Sequence, residues 1–332
     1  MGNVCKNVVT MDGEHENLDI TFGDLRKALQ ENSQDQVGAN AFNDNFEGEP
    51  DPDGGGSSGG TGQVGRILIP NTIVLGDCVE FLKSLPDHSI HAVVTSPPYA
   101  NQRKALYGGI DEADYPAWTV GWMQELKRVL TPDGSVAINI RPHHHEGQIS
   151  DYTLRMRLAL RDDGWREVDE LIWDKVGGIP LGSNRLPRRS WESVHWFSLS
   201  KRPYCDPKAN GSKSDRIGFG KAKGQGLYIG KSGPIRSGIA RCIDIVRVPV
   251  AACDKSKFNH HPAQYPEELA SWLIRLLTPD GGMVYDPFMG SGTTAVAALR
   301  SGRQFVGAEM KTEYIDIANR RINALRLTSD AA

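Results

Sequence analysis

The strongest constraint on the fold is a regular alternation of strand-like and helix-like segments that begins at Ile67. Short runs of apolar and β-branched residues, such as IHAVVT (90–95) and SVAINI (135–140), are separated by longer stretches with helical periodicity, such as PEELASWLIRLL (266–277). Strands that alternate with helices in this way build a mainly parallel sheet covered by helices on both faces. The sequence therefore predicts an α/β domain over residues 66–330.

The first 65 residues differ in composition from the rest of the chain. They hold 3 Lys/Arg and 12 Asp/Glu, a net charge of −9, whereas residues 66–332 carry a net charge of +6. They contain few apolar clusters and end in the Gly/Ser-rich stretch DPDGGGSSGGTG. This pattern predicts a mostly disordered acidic tail with a flexible linker. One short helix is predicted at residues 19–32, with Asp19 or Thr21 as its cap.

Two further observations limit the class of protein. The chain has no run of about 18 apolar residues, so we expect no membrane span. Its five cysteines form no C-x-x-C pair, which predicts neither a zinc site nor a disulfide framework. A reducing, cytoplasmic location is the expectation.

A pair of prolines ends one of the predicted strands. The apolar run IHAVV leads directly into TSPPY (95–99), and adjacent prolines can neither continue a β-ladder nor enter a helix interior. Residues 96–99, Ser96, Pro97, Pro98 and Tyr99, are therefore predicted to form a rigid segment, called the shelf below.

A glycine-rich segment, DPFMGSGTT (286–294), joins another strand to a helix and is called the cofactor loop below. Such a turn lets a ligand approach the backbone, and the helix N–H groups can hold a polar group, although a plain tight turn is the alternative. Glu309 ends the next strand, where a carboxylate accepts hydrogen bonds from ribose hydroxyls. Because no lysine follows the glycines, S-adenosylmethionine fits better than a pyrophosphate. Asp286 would meet its ammonium group and Phe288 its adenine.

TSPPY and DPFMGSGTT together resemble the motifs of the amino-methylating DNA methyltransferases. The order, with TSPPY first and the cofactor loop near the C-terminus, resembles the β class of that family. HPAQYPEELASWLIRLL (261–277) is similar to the family segment that packs against the methionine moiety, and LGDCVEFLKSLPDHSIHAVVTSPPY (75–99) to the run into the catalytic loop. The resemblance extends over roughly residues 67–327.

The resemblance implies a fold, a cofactor and a substrate. The fold would be a Rossmann-like class I S-adenosylmethionine-dependent methyltransferase, circularly permuted, with a target-recognition insert at 201–258. The substrate would be double-stranded DNA, with Ser96, Pro97, Pro98 and Tyr99 as catalytic residues. The residues that would bind the cofactor are Asp77, His261, Pro262, Asp286, Pro287, Phe288, Gly290, Gly292, Thr293 and Glu309.

The shelf would suit methyl transfer to a base amine. An exocyclic amine is a weak nucleophile because its lone pair is delocalised into the ring, and acceptors such as Ser96 Oγ and the Pro97 carbonyl would localise that pair. Tyr99 would stack on a base flipped out of the duplex. The transfer would be direct, without the Pro-Cys nucleophile of C5-cytosine methylation. In this family Ser before Pro-Pro-Tyr favours cytosine N4, and adenine N6 is the alternative.

A basic, glycine-rich segment lies between the two motifs. Residues 201–247 hold 11 Lys/Arg, 3 Asp/Glu and eight glycines, which suits phosphate contact and base-edge readout. The sequence leaves open the recognition site, the oligomeric state, a cognate restriction endonuclease, and an orphan or phage role. A nucleoid-associated protein is the expectation. The candidate DNA contacts are Arg188, Arg189, Lys221, Lys223, Arg236 and Arg241.

The sequence argues against several other functions. Adjacent histidines rarely converge on one ion, so His143–His145 predicts a polar loop and no metal site. Glutamine methyltransferases carry Asn before Pro-Pro-Tyr and an upstream cofactor loop, which argues against an RNA or protein amino-methyltransferase. The intact shelf and Asp286 argue against a non-catalytic DNA-binding protein. A nicotinamide oxidoreductase would leave TSPPY without a role.

Overall fold

The computed structural model describes Arg66 and residues 68–101, 109–145, 147–177, 186–217, 235–250 and 265–329, together with two short strands near the N-terminus. The chain divides into two compact units, Met1–Ile67 and Leu68–Ala332. Within the described ranges, no helix combines the length and the apolar character needed to cross a bilayer.

The first unit contains a two-stranded antiparallel ladder. Strand β1 is Val4–Lys6 and strand β2 is Asp19–Thr21, and Val4 pairs with Thr21. The alternative that Asp19 caps a helix is wrong, because the residues that follow it belong to β2, whereas Thr21 ends β2 and its role as a cap stays a prediction. The β-branched residues of these segments favour the extended conformation. Residues 22–32, the rest of the predicted helix, lie outside the described residues.

The second unit contains twelve described strands and seven described helices. The strands are β3 Thr72–Leu75, β4 Ile90–Thr95, β5 Leu130–Ile140, β6 His144–His145, β7 Gln148–Ile149, β8 Arg166–Asp174, β9 Trp191–Ser198, β10 Lys213–Ile217, β11 Ile235–Ile239, β12 Ile245–Arg247, β13 Met283–Asp286 and β14 Gln304–Glu309. The helices are α1 Cys78–Ser84, α2 Tyr115–Met123, α3 Leu126–Val129, α4 Tyr152–Asp162, α5 Glu267–Leu277, α6 Thr293–Arg300 and α7 Thr312–Ser329.

Eight of these strands form one sheet, in the order β12-β8-β9-β5-β4-β13-β14-β3. Neighbouring strands pair in parallel except at β9, which runs antiparallel to both β5 and β8. The prediction of a mainly parallel α/β sheet is confirmed. Strands β6 and β7, and strands β10 and β11, form separate two-stranded ladders. Strand β12 returns to the main sheet from within the segment predicted to be an insert.

Helices α5 and α6 pack against the middle of the sheet. Helix α5 buries Leu269, Leu273, Ile274 and Leu277, whose spacing places them on one helical face. Helix α6 buries the small residues 295–298, which let the helix lie close to its neighbours. These apolar contacts fix the position of the loops that leave the carboxyl ends of β4 and β13.

The start of β5 differs from the prediction. The sequence predicts a helix over YPAWTVGWMQELKRVL (115–130) that Thr131–Gly134 end, followed by a strand over SVAINI, but β5 already begins at Leu130. Ile90 of β4 pairs with Leu130, and Ala92 pairs with Ser135, so the ladder is interrupted between these pairs. The turn-forming residues 131–134 occupy this irregularity, because a proline cannot donate to the ladder. The predicted helix before them is also divided, into α2 and α3.

Candidate active site

Polar side chains follow one edge of the main sheet. The carboxyl ends of β3, β14, β13, β4, β5 and β8 meet at this edge, and the antiparallel β9 begins there. From one end of the sheet to the other, the residues at these strand ends are Asp77, Glu309, Asp286, Ser96, Asn139, Glu192 and Lys175. The shelf follows β4 and the cofactor loop follows β13, and these two strands are direct neighbours. The fold therefore brings together two motifs that are far apart in the sequence.

Asp286 is the best-anchored carboxylate of this row. It is 1% exposed, and its Oδ1 accepts hydrogen bonds from Thr95 Oγ1 at 2.7 Å and from the Phe288 N–H at 3.0 Å. Its Oδ2 accepts a hydrogen bond from Thr294 Oγ1 at 2.5 Å. Burial raises the pKa of Asp286 to about 6, and these hydrogen bonds oppose the rise. One of the roughly four acceptor positions of a carboxylate is left for a ligand.

The turn of the cofactor loop depends on its glycines. Gly290 and Gly292 have φ values of 53° and 79°, in the left-handed region that glycine adopts without strain. A Cβ atom on Gly292 would also lie 2.7 Å from the Cβ of Ala318. The Gly290 N–H donates to Glu309 Oε2 at 2.8 Å, and the Lys311 N–H donates to Glu309 Oε1 at 3.0 Å. Burial raises the pKa of Glu309, while these backbone donors lower it.

The other predicted cofactor residues have the following environments. Asp77 caps helix α1 and accepts hydrogen bonds from the N–H groups of residues 79 and 80 at 2.8 and 3.2 Å. Thr293 Oγ1 accepts a hydrogen bond from Arg321 at 3.2 Å. Pro287 is buried. The Phe288 ring packs against two tryptophans of α2. Its centroid lies 5.4 Å from that of Trp118 and 5.5 Å from that of Trp122. His261 and Pro262 lie outside the described residues.

The shelf is held from two sides. The buried Tyr115 donates a hydrogen bond from its hydroxyl to the Pro98 carbonyl at 2.9 Å. The Tyr99 hydroxyl donates to Glu192 Oε2 at 2.9 Å, and burial together with the Glu192 charge raises the pKa of Tyr99. Pro97 is buried, whereas Ser96, Pro98 and Tyr99 are half-buried. The shelf therefore has a fixed backbone and accessible side chains.

Several residues of this site were missed by the sequence interpretation. Thr95 and Thr294 stand inside the quoted motifs, and each donates a hydrogen bond to Asp286. Asn139 could have been noticed as the one amide in an otherwise apolar strand, SVAINI. Lys175 follows β8, in which five of the nine residues are charged, so its charge does not distinguish it in the sequence. Tyr115 has no signal in the sequence, because its contact with the shelf depends on how α2 packs.

His143 and His144 form polar contacts with charged side chains. His143 Nε2 contacts Glu112 Oε1 at 2.7 Å, and Arg189 contacts His144 Nδ1 at 2.7 Å and the Pro142 carbonyl. In the described part of the chain, no three His, Cys, Asp or Glu side chains are grouped as metal ligands would be. Arg188 and Arg241 are exposed, and Arg236 belongs to β11. Lys221 and Lys223 lie outside the described residues.

This edge of the α/β fold therefore combines a glycine-containing loop, two buried carboxylates and a rigid polar shelf. A family model for N6/N4 methyltransferases, described as DNA methylase, matches residues 90–320. This match covers more than half of the chain, and the chain belongs to that family of DNA methylases. The prediction of a DNA methyltransferase is confirmed at this level.

Individual relatives agree with the family assignment. The chain is 29% identical over 272 residues to the type II methyltransferase M.PvuII of Proteus hauseri, which covers 74% of this chain and 81% of that protein. It is 29% identical over 288 residues to the type II methyltransferase M.Cfr9I of Citrobacter freundii, covering 76% and 87%. The solved structure of the PvuII DNA methyltransferase (cytosine-N4-specific) superposes with a TM-score of 0.59 at 24% identity, covering 76% of this chain and 88% of that one.

Proposed function

We propose that this DNA methylase transfers a methyl group to the exocyclic N4 amine of a cytosine flipped out of double-stranded DNA. The observation that carries the proposal is the hydrogen bond of 2.7 Å between Thr95 and Asp286, which joins the start of the shelf to the start of the cofactor loop. A methyl donor held at one motif would lie next to a base held at the other. Such positioning is the main requirement for a direct displacement.

S-adenosylmethionine is the cofactor, and when bound it supplies an electrophilic methyl group on a sulfonium centre. The residues of the edge fit it. Asp286 is a buried carboxylate with an acceptor position left for an ammonium group. Glu309 and Asp77 end neighbouring strands, where a ribose and an adenine would be bound. Gly290 and Gly292 adopt the left-handed conformation and add no Cβ atom at these two positions of the loop. His261, Pro262, Pro287, Phe288 and Thr293 complete the proposed cofactor set.

The shelf residues act on the base amine. Ser96 Oγ and the Pro97 carbonyl accept its N–H groups and concentrate its lone pair towards the methyl donor. When bound, the cofactor would supply a methyl group whose S–C bonding pair returns to sulfur, and Ser96 and the Pro97 carbonyl would hold the amine nitrogen that takes the methyl group and releases one proton to solvent. Tyr99 stacks on the flipped base. The bond from Tyr115 to the Pro98 carbonyl supports this role, because it fixes the backbone direction of the shelf.

Cytosine is favoured over adenine by two observations. Ser96 precedes the Pro-Pro-Tyr segment, and a relative of the same fold is named as cytosine-N4-specific. Its hydroxyl can turn either as a donor or as an acceptor, which suits an amine beside a ring nitrogen. The motif order, with TSPPY before the cofactor loop, supports membership of the permuted β class of the family.

The surrounding surface would hold the duplex. Arg188 and Arg241 are exposed, as phosphate contacts require, and Arg189 is half-buried. Lys221, Lys223 and Arg236 belong, like Arg241, to the basic segment 201–247. The relatives named as type II methyltransferases suggest a cognate restriction endonuclease as a functional partner.

Nucleoside mass spectrometry of DNA from cells that express the protein tests this function. We expect N4-methylcytosine with the wild-type chain and none with Ser96→Ala or Tyr99→Ala. N6-methyladenine instead would overturn the choice of base but keep the reaction. The absence of any methylated base, with folded protein present, would contradict the proposal. Thr278→Val is a suitable control, because this buried residue lies at the end of α5 and away from the shelf.

A further inference from the structure

A buried ion pair lies behind the shelf. Lys175, which follows β8, and Glu192, in β9, form a direct contact between Lys175 Nζ and Glu192 Oε1, with side chains only 5% and 7% exposed. Arg141 Nε lies 3.4 Å from the same oxygen. Burial lowers the pKa of Lys175 in spite of the neighbouring carboxylate. An ion pair placed at such depth is costly, and replacing both partners by neutral groups is often tolerated, so stability alone does not account for it.

The second oxygen of Glu192 faces the catalytic residues. Oε2 accepts hydrogen bonds from the Tyr99 hydroxyl at 2.9 Å and from Asn139 Nδ2 at 3.1 Å. An ionised carboxylate can only accept, so the Tyr99 hydrogen must point at Glu192. The Tyr99 oxygen is then left as an acceptor, and both it and Ser96 Oγ lie within 3.5 Å of the same nitrogen, Asn139 Nδ2.

The bond from Tyr99 to Glu192 allows one direction for hydrogen bonding at this site, from Ser96 towards the Tyr99 oxygen and from Tyr99 to Glu192. Asn139 agrees with this direction, because its NH₂ group faces Glu192 and lies 3.4 Å from the Tyr99 oxygen and 3.5 Å from Ser96 Oγ. Asn139 is 2% exposed, so its position is fixed by packing. With its hydrogen directed at Tyr99, Ser96 Oγ presents lone pairs to anything bound on the shelf.

We propose that Glu192, held in place by Lys175, is a positioning residue that makes Ser96 an acceptor for the base amine. This inference rests on the proposed function. A Glu192 carboxylate cannot donate, so it prevents the reverse arrangement, in which Ser96 would point its hydrogen at the amine. A neutral amide at position 192 can donate to Tyr99 and permits that reverse arrangement.

The test replaces the pair by groups of similar size, in the double variant Lys175→Met/Glu192→Gln, which removes both buried charges and leaves the partly exposed Arg141 in contact with water. We expect kcat for DNA methylation to fall at least about tenfold, while KM for DNA and for S-adenosylmethionine changes less than about threefold. Thermal unfolding verifies that the variant is folded. A kcat within about twofold of the wild type, or a loss confined to KM, would overturn the inference.

Tyr99→Phe provides a second measurement that leaves the ion pair intact. It cuts the same series of hydrogen bonds at a different point, so we expect a comparable loss in kcat, and little further loss when it is combined with the double variant. Full kcat in Tyr99→Phe, or losses that simply multiply in the combination, would also overturn the inference. Failure of the proposed function is a separate result, because the wild-type protein itself would then methylate no DNA.

Discussion

Asp286 shows how burial and hydrogen bonding compete at a single carboxyl group. Burial raises its pKa to about 6, while three donors, from Thr95, Thr294 and the Phe288 N–H, stabilise its charged form. The raised pKa means that the folded protein favours the neutral carboxyl relative to the unfolded chain. A cationic ligand beside Asp286 would reverse this preference.

The stability of the ligand-free protein should therefore depend on pH through Asp286. A raised folded pKa contributes stability that is present below the unfolded value of 3.8 and is lost as the pH rises through about 6. Relative to Asp286→Asn, we expect the wild type to lose about 2 kcal/mol of unfolding free energy between roughly pH 4.5 and 7.5. Urea unfolding of both proteins across this range measures the difference. A difference that stays constant with pH would contradict the prediction.

At the scale of elements, the sequence predicted well wherever periodicity and turn chemistry agree. The predicted strand IHAVVT is β4, and the predicted helix PEELASWLIRLL corresponds to α5. Both predictions were correct because each segment has one clear apolar period and clearly defined ends. The predicted start of β5 was wrong. Pro132 and Gly134 favour a turn in any sequence, and only the pairing of β5 with β4 shows that the ladder continues on both sides of them.

The sequence predicted the motif residues of the candidate site but not the side chains that support them. Motif residues such as Asp286 lie at strand ends, and the order of strands in a parallel sheet brings such ends together. The supporting residues Tyr115, Asn139 and Lys175 act through side-chain contacts across different elements. Such contacts depend on strand order and helix packing, which local sequence patterns do not specify.

The hydrogen bond between β4 and the cofactor loop leads to a prediction at this scale. Thr95→Val keeps the side-chain shape but removes the donor to Asp286 Oδ1. We expect a loss of about 2 kcal/mol in unfolding free energy at neutral pH and several-fold weaker binding of S-adenosylmethionine, because a buried carboxylate loses a charge-assisted hydrogen bond. Urea unfolding and equilibrium binding measure the two effects.

Thr278→Val is the matched control for this variant. Thr278 is fully buried, and its hydroxyl has no hydrogen-bond partner among the described residues. Replacing an unpaired hydroxyl by a methyl group should leave stability unchanged or slightly higher. Equal stability of the Thr95→Val and Thr278→Val proteins would contradict a special role for the contact with Asp286.

At the scale of the whole molecule, the first 65 residues and the rest of the chain carry net charges of opposite sign. Residues 1–65 have a net charge of −9 and residues 66–332 a net charge of +6. A substrate with a phosphate backbone is attracted by the second charge and repelled by the first. We therefore expect the acidic segment to weaken non-specific binding of DNA by the basic methylase domain.

Replacing the twelve Asp and Glu residues of 1–65 by Asn and Gln in the full chain tests this expectation. The neutralised protein should bind a non-specific duplex more tightly than the wild type at about 50 mM salt, and the difference should shrink towards about 200 mM as screening increases. Its kcat should stay the same, because no residue of the shelf or the cofactor loop is changed. Equal DNA affinity of the two proteins at every salt concentration would show that the acidic segment does not act on DNA binding.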